Sequence, residues 1–250
     1  MIDIILNGCG GKMGKVVESI VNSDENCRIA AGIDPGDVKA EYPVFKSPEE
    51  CTVKADVIID FSTASAVPGL LDFSAKSKTP VVLCTTGLSD EMIKNVEKAS
   101  KQVAVLKSAN MSVGINLILS LVQKAADILF DSGFDIEIIE KHHNQKIDAP
   151  SGTAIAIADS INGALGNKME YIYDRSKTRE KRARNEIGMH AVRGGTIVGE
   201  HDVIFAGKDE IITLSHTAMS KEIFAVGAVK AAKFLAGKGA GLYSMKDVME

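Results

Sequence analysis

Short apolar runs alternate with stretches of helical spacing along the first half of the chain, and this rhythm restricts the possible folds more than any other feature. Segments such as KVVESIVNS and EMIKNVEKASK repeat their apolar residues at helical intervals. The apolar runs between such segments are rich in β-branched residues and are IDIIL, CRIAAGI, ADVIIDF, TPVVLC and VAVLK. Strands that alternate with helices in this way predict an α/β fold with a doubly wound parallel sheet.

A glycine-rich turn, GCGGKMGK from Gly8 to Lys15, follows the first predicted strand directly and spaces its glycines as G-x-x-G-x-x-G. Such a turn lets a ligand approach the backbone, and the N–H groups at the start of the next helix favour a pyrophosphate. The second predicted strand ends at Asp34, about 20 residues beyond the glycines, where a carboxylate can bind the ribose hydroxyls of a dinucleotide. An unliganded loop and a turn-forming aspartate are the alternative interpretation.

The preferred dinucleotide depends on the charge beside its adenosine ribose. The carboxylate of Asp34 repels the 2′-phosphate of NADPH, so the sequence favours NADH as the cofactor. Lys12 and Lys39 lie near enough in sequence to offset part of this repulsion, and the use of both cofactors stays open.

Small hydroxyl residues follow two later strands of the predicted sheet. DFSTAS spans Asp60 to Ser65, and CTTGLS spans Cys84 to Ser89. The carboxyl edge of a doubly wound sheet is where its ligands bind, although serine and threonine also cap helices. Both roles are compatible, because a capped helix start still presents N–H groups to a ligand.

The pattern changes in the second half of the chain. The segment SANMSVGINLILSLVQKAADIL predicts a long helix with a broad apolar stripe at positions 115, 118, 119, 121, 122, 125 and 129. Strand patterns then run together at FDIEIIE, IGMHAVRGGTIVGEHDVIFAG and DEIITLSHTA, before a helical tail, IFAVGAVKAAKFLAG. This predicts a second α/β domain with a mixed sheet. We expect a dinucleotide-binding domain at 1–109, a substrate-binding domain at 110–219, and a tail helix at about 220–250 that returns to the first domain.

Composition argues against several classes of function. The formal net charge of −4 gives no basic surplus for nucleic acid. The apolar runs fall short of the roughly 20 residues that a membrane span needs. We therefore expect neither nucleic acid nor a membrane as a partner. The four cysteines form no C-x-x-C pair and predict neither a zinc site nor a disulfide framework, which fits a reducing cytoplasm.

The segment EKHHNQKIDAPSGTA, from Glu140 to Ala154, concentrates ionisable residues just after a predicted strand. Neighbouring side chains of an extended chain point to opposite sides, so His142 and His143 are not expected to share a metal ion, and no metal site is predicted. A loop can instead bring one histidine and Lys146 into a shared pocket, where the histidine moves protons and the lysine supplies positive charge or a proton. A hydrogen-bonded structural histidine is the simpler alternative.

The end of the same segment predicts the start of a helix. Pro150 fixes the entry of the chain, and Ser151 or Thr153 can cap the helix. The N–H groups of Ser151, Gly152 and Thr153 then form a site for a carboxylate. The pattern therefore predicts a bound anion.

Together these motifs resemble the dihydrodipicolinate reductase family, whose members are also called 4-hydroxy-tetrahydrodipicolinate reductases. EKHHNQKIDAPSGTA is similar to the signature of the family, and GCGGKMG, CTTG, SANMSVGIN and VRGGTIVGEH are similar to further blocks in the same order. The similarity covers nearly the whole chain. It implies a Rossmann-like cofactor domain, a second α/β domain whose sheet builds a homotetramer, and reduction of a cyclic, unsaturated dicarboxylate by NADH or NADPH in the diaminopimelate route to lysine.

The resemblance also implies roles for single residues. His142 would be the general acid/base with Lys146 as a proton donor beside it, although the division of proton transfer between them stays open. His143 would contact the substrate, and Gly152 with Thr153, beside Ser151, would hold a substrate carboxylate. The positions that match the cofactor site are Gly8, Cys9, Gly10, Gly11, Lys12, Met13, Asp34, Cys84, Thr85, Thr86, Ser108, Ala109, Asn110 and Met111.

Two places depart from the usual pattern of the family. Where a glycine-containing loop is expected, RSKTREKRARNEIG is either a solvated charged loop or a positive patch that speeds capture of the dianionic substrate. Its crowded basic residues are Lys177, Arg179, Lys181, Arg182 and Arg184. Cys84 stands where the family often has glycine. It either adds only a small apolar side chain beside the nicotinamide site or makes the protein sensitive to alkylation or oxidation through its thiol.

Two other functions are alternatives. A nucleotide-binding sensor without turnover would show erosion around His142 and Lys146, yet both residues are present. A different dehydrogenase on the same fold would share the glycine loop but lack HHNQK followed by DAPSGT.

Overall fold

The computed structural model describes residues 1–108 and 110–250, which form two compact units. The first unit comprises Met1–Val113 and Glu222–Glu250, and the second comprises Gly114–Lys221. Among the described residues, no helix has the length and apolar character needed to cross a membrane.

The described residues form twelve strands and seven α-helices. The strands are β1 Ile2–Asn7, β2 Cys27–Ile33, β3 Val44–Phe45, β4 Val57–Asp60, β5 Val81–Leu83, β6 Ala104–Lys107, β7 Asp135–His142, β8 Glu170–Ile172, β9 Glu186–Arg193, β10 Gly199–Ala206, β11 Ile211–Ala218 and β12 Gly241–Tyr243. The helices are α1 Lys12–Asn22, α2 Val67–Ser77, α3 Asp90–Ser100, α4 Val113–Leu129, α5 Gly152–Ala164, α6 Glu222–Leu235 and α7 Met245–Met249.

A seven-stranded parallel sheet forms the centre of the first unit, in the order β12-β6-β5-β4-β1-β2-β3. The central strands are almost fully buried, which explains why they are continuous apolar runs in the sequence. Helix α6 packs against α1 in the same unit, and Gly227 on α6 allows the backbone at Met111 to approach closely. The predicted Rossmann-like parallel sheet is therefore confirmed.

A mixed five-stranded sheet forms the second unit, in the order β11-β10-β7-β9-β8. β7 runs parallel to β9 and antiparallel to β10, which confirms the predicted mixed sheet. Ile136 and Ile138 on one face of β7 share an apolar core with residues of α4 and α5. On α4, Leu121 was expected in the buried stripe, but its side chain is 38% exposed. That expectation is wrong because a helix buries only the face that its own neighbours cover.

Candidate active site

The glycine-rich turn brings the start of α1 close to the ends of β1 and β4. Gly8 has a φ of +81°, and a Cβ atom there would lie 2.6 Å from the carbonyl oxygen of Phe61. A Cβ atom on Gly14 would collide with the carbonyl oxygen of Gly8. No side chain caps the start of α1 at Gly11, so the first N–H groups of the helix are suited to binding an anion.

Asp34 connects this glycine loop to the turn that follows β2. Its Oδ2 accepts a hydrogen bond from the N–H of Gly10 at 2.9 Å, and its Oδ1 accepts one from the N–H of Gly36 at 2.9 Å. The carboxylate therefore forms the turn, as one interpretation of the sequence expected, and also orders the glycine loop. Its binding to the ribose hydroxyls stays a prediction.

A cavity of about 490 Å³ opens beside the glycine loop and Asp34. Gly8, Gly11, Phe61 and Thr63 contribute to its walls. The glycines leave the backbone bare and Asp34 offers a carboxylate, so these residues fit the adenosine and pyrophosphate of a nicotinamide dinucleotide.

The lysine beside this cavity is Lys46, whereas Lys12 and Lys39, which the sequence suggested, do not line it. Lys46 Nζ donates to the carbonyl oxygen of Gly36 at 3.0 Å and to Oδ1 of Asp37 at 2.5 Å. The lysine that shares this cavity with Asp34 therefore comes from the segment after β3, which sequence separation alone does not reveal.

Asp60 at the end of β4 is completely buried and joins the ends of three strands. Its carboxylate accepts hydrogen bonds from Asn7 Nδ2 at 2.7 Å, from Thr85 Oγ1 at 2.6 Å and from Ser62 Oγ at 2.6 Å. The N–H of Ser62 donates a fourth at 3.2 Å. Asn7 ends β1 and Thr85 follows β5, so this hub shapes the carboxyl edge where the sheet binds its ligand. The sequence identified the hydroxyls here but missed the carboxylate.

The remaining predicted cofactor residues differ in exposure. Cys9 is 1% exposed and packs in the core against Gly32, so only its backbone faces outward. Burial and the nearby Asp60 carboxylate raise the pKa of the Cys84 thiol well above its usual range, which disfavours the reactive thiolate. Met111 is buried. The side chains that are partly or fully accessible are Lys12, Met13, Thr86, Ser108 and Asn110. Ala109 lies outside the described residues.

The segment at the end of β7 holds a buried carboxylate in contact with His142. Glu140 is 1% exposed and lies on the face of β7 that carries the apolar core. Its Oε2 lies 2.6 Å from His142 Nδ1 and accepts from Arg193 Nη1 at 2.7 Å. Its Oε1 accepts from Arg193 Nη2 at 2.7 Å and from the N–H of Ser151 at 2.9 Å. Burial raises the pKa of Glu140, but these hydrogen bonds outweigh burial and lower it overall.

His201 on β10 lies beside this cluster and is 5% exposed. Its Nε2 is 3.0 Å from Ser151 Oγ, and its ring makes an edge contact with the ring of His142 at 5.2 Å between centroids. Burial, with the nearby His142, lowers the pKa of His201 to about 4, so it is neutral near pH 7. His201 therefore supports Ser151 through a neutral ring.

The loop after β7 carries Lys146 and is held by hydrogen bonds from Arg193 and Gly194. The N–H of Gly194 donates to the carbonyl oxygen of His142 at 2.9 Å, and Arg193 Nη2 donates to that of Asp148 at 2.6 Å. Lys146 Nζ pairs with Asp148 Oδ2 at 2.9 Å. The loop is therefore anchored at both ends, and His143 lies partly exposed at its start. The closeness of Lys146 to His142 stays a prediction.

Helix α5 starts at the end of this loop with Ser151 as its N-cap. Ser151 Oγ accepts from the N–H of Ala154 at 3.1 Å. Gly152 is exposed, and a Cβ atom there would meet open space, so no packing within the described residues requires a glycine. Thr153 is partly buried in the first turn. An exposed glycine at a capped helix start is suited to the close approach of an anion.

The sequence did not identify three residues of this cluster as part of the site: Glu140, Arg193 and His201. The alternation of β7 places Glu140 on the same face as Ile136 and Ile138, and a carboxylate on an apolar face is a signal of a special site. Its partners on β9 and β10 depend on strand register, which the sequence does not show.

The crowded basic loop is anchored at its end. Arg182 Nε donates to Glu137 at 3.0 Å and Nη1 to Asp135 at 2.8 Å, while Arg184 stacks on Phe130 with 5.0 Å to the ring centroid. These two arginines therefore fix the loop to the sheet and to the residue that follows α4. Arg182 is partly buried, whereas Lys177, Arg179, Lys181 and Arg184 are exposed.

A parallel cofactor sheet followed by a mixed sheet with an ionisable cluster is the arrangement of two-domain oxidoreductases that use a nicotinamide dinucleotide, and this protein is of that class. Residues 2–111 match the description "Dihydrodipicolinate reductase, N-terminus", and residues 114–249 match "Dihydrodipicolinate reductase, C-terminus". The chain belongs to the dihydrodipicolinate reductase family, which confirms the resemblance seen in its sequence.

Individual relatives match along the full chain. The 4-hydroxy-tetrahydrodipicolinate reductase of Caldanaerobacter subterraneus subsp. tengcongensis is 55% identical over 250 residues, covering 100% of this chain and 99% of the relative. The enzyme of the same name from Clostridium botulinum is 50% identical, with coverage of 100% and 98%. The dipicolinate-bound dihydrodipicolinate reductase from Paenisporosarcina sp. TG-14 shares the fold with a TM-score of 0.84, at 24% identity and 100% coverage of both chains.

Proposed function

We propose that this protein reduces dihydrodipicolinate, or 4-hydroxy-tetrahydrodipicolinate with loss of its hydroxyl group as water, to tetrahydrodipicolinate with NADH or NADPH in the diaminopimelate route to lysine. The observation that carries the proposal is full-length identity of 55% to a reductase of that name. In this proposal the first unit supplies the dinucleotide site, and residues 110–219 supply the substrate site.

The cofactor supplies a hydride to the unsaturated ring when it is bound. His142 and Lys146 deliver the proton that the reduced ring then needs, and their positive charge stabilises the negative charge that develops on it. The start of α5 at Ser151, Gly152 and Thr153 binds one ring carboxylate through its N–H groups. The substrate is a dianion, and His143 together with the lysine offers groups for the second carboxylate.

NADH is the favoured cofactor, and NADPH is a second one. Asp34 can accept hydrogen bonds from the ribose hydroxyls and repels a 2′-phosphate, whereas Lys46 lines the same cavity and attracts it. Opposite charges beside one ribose site support the use of both cofactors with a preference set by their balance.

The protein is proposed to be a homotetramer in the cytoplasm. β11 is an edge strand, and its apolar side chains are open to solvent, with Ile211 68% exposed and Ile212 38% exposed. An exposed apolar edge strand is suited to an interface between subunits. Four free cysteines, with no disulfide among the described residues, agree with a reducing compartment.

The first test is the oxidation of NADH and of NADPH, with substrate formed in place from pyruvate and aspartate semialdehyde. We expect turnover with both cofactors and a lower KM for NADH. Asp34→Ala removes the repulsion of the 2′-phosphate and should shift the ratio of kcat/KM values about 10-fold toward NADPH, whereas Lys46→Met should shift it toward NADH. Cofactor binding without any oxidation would instead support a sensor.

Gly152→Ala tests the proposed carboxylate site without removing a charge. The added methyl group enters open space in the free protein, so the melting temperature should not fall, but it obstructs a carboxylate at the helix start. We expect the KM for the substrate to rise about 10-fold with the cofactor KM unchanged. Gly163→Ala is the matched control, because Gly163 is also exposed on α5 with open space beside it. Equal substrate KM values in both variants would contradict the assignment.

A further inference from the structure

Glu140 lies in an apolar environment, where burying a carboxylate lowers the stability of the fold. Ile136 and Ile138 precede it on the same face of β7, and both are 0% exposed. A buried carboxylate is destabilising unless donors satisfy its oxygens. Glu140 receives four donors, and two of them come from one guanidinium of Arg193. Burying this ion pair costs more free energy than burying an apolar side chain would. The carboxylate is in direct contact with the ring of His142.

The contact between Glu140 and His142 fixes the tautomer of the imidazole. An ionised carboxylate can only accept hydrogen bonds, so the proton of a neutral His142 must lie on Nδ1, 2.6 Å from Oε2. Nε2 then carries the lone pair and becomes the atom that exchanges protons. A Cβ atom on Gly199 would lie 3.1 Å from that Nε2, so the glycine leaves space there.

The same carboxylate holds the substrate-binding end of α5. Oε1 accepts from the N–H of Ser151, whose side chain caps the helix, and Arg193 continues from Glu140 to the carbonyl oxygen of Asp148. One ion pair therefore sets the ring of His142, the loop that carries Lys146, and the first residue of the anion site.

We propose that Glu140, held by Arg193, is the positioning residue of this active site: it locks His142 as the Nδ1–H tautomer and presents Nε2 to the substrate. The proposal deepens the function above and rests on His142 acting there as acid/base. In other enzymes, replacing the carboxylate that orients a catalytic histidine with an amide keeps the geometry but reverses the tautomer, at a large cost in kcat.

The wild-type protein gives the first test, which needs no variant to fold. Nitrogen NMR by magic-angle spinning on protein labelled only in its five histidines reports which ring nitrogen carries the proton. The signal that disappears in His142→Gln is assigned to His142. We expect a protonated Nδ1 and a bare Nε2 in the neutral ring, and the opposite tautomer would overturn the proposal.

The second test separates positioning from a purely structural ion pair. In Glu140→Gln combined with Arg193→Met, the amide can donate to Nδ1 without facing the guanidinium. We expect the tautomer to reverse and kcat to fall about 10²–10⁴-fold, while the cofactor KM stays at the wild-type value. Glu140→Asp retains an acceptor-only carboxylate and should keep the Nδ1–H tautomer and part of the activity. An unchanged kcat in the folded double variant would overturn the inference.

A second histidine that contacts a carboxylate provides a control for the expected loss of kcat. His190 on β9 also contacts a carboxylate, with Nε2 2.8 Å from Glu137 Oε2, but it is exposed. Glu137→Gln with His190 in place should leave kcat near the wild-type value. If His142→Gln itself keeps full activity, the proposed role of His142 fails, whereas the tautomer measured in the wild type still decides whether Glu140 positions the ring.

Discussion

We expect His142→Gln to lower kcat for substrate reduction by about 10²–10⁴-fold, because glutamine can form hydrogen bonds but cannot exchange a proton. Binding of the cofactor, measured by fluorescence of the reduced nicotinamide, should not change, since the glycine loop and Asp34 belong to the other unit. His190→Gln is the matched control, as it removes a histidine that pairs with a carboxylate outside the site. A His142→Gln enzyme with wild-type kcat would exclude this histidine from proton transfer.

Variants of Lys146 show whether the lysine transfers the proton or only supplies positive charge beside His142. If the lysine provides only positive charge, Lys146→Arg keeps much of kcat and Lys146→Met loses it. If the lysine delivers the proton, both variants lose kcat, because a guanidinium does not release a proton near neutral pH. Asp148, which pairs with Lys146 in the structure, also has its pKa lowered by that hydrogen bond, so it is ionised and holds the lysine in place.

The sequence was informative where neighbours along the chain carry the signal. The central strands of the first sheet are continuous apolar runs because both of their faces are buried, and they were predicted. β3, β8 and β12 have only two or three residues each and are too short to show a period. Their pairing depends on neighbours that fold against them.

The same contrast applies to the candidate site. His142, Lys146 and Ser151 lie within one segment of ten residues and were predicted together. Glu140 meets Arg193 and His201 only because β7 lies between β9 and β10 in a particular register. Register is set by tertiary packing, so these contacts could not be derived from the sequence.

Asp60→Ala should lower the free energy of unfolding by about 3–5 kcal/mol, the largest stability effect that we expect in the first unit. Four donors at the ends of β1, β4 and β5 lose one acceptor in a site closed to water, and an unsatisfied buried group costs roughly 1–3 kcal/mol. Asp60→Asn keeps one carbonyl oxygen for Asn7 and Ser62 and should cost far less. Urea unfolding measures both changes.

The matched control is Asp72→Ala, because Asp72 is an exposed aspartate on α2 of the same unit, where such a change should alter stability by less than about 0.5 kcal/mol. Asp60→Asn should also raise the cofactor KM, since the hub shapes the loops at the carboxyl edge of the sheet, where dinucleotides bind. If Asp60→Ala unfolds at the same urea concentration as Asp72→Ala, the four hydrogen bonds contribute nothing net. The order of these loops must then come from their packing alone.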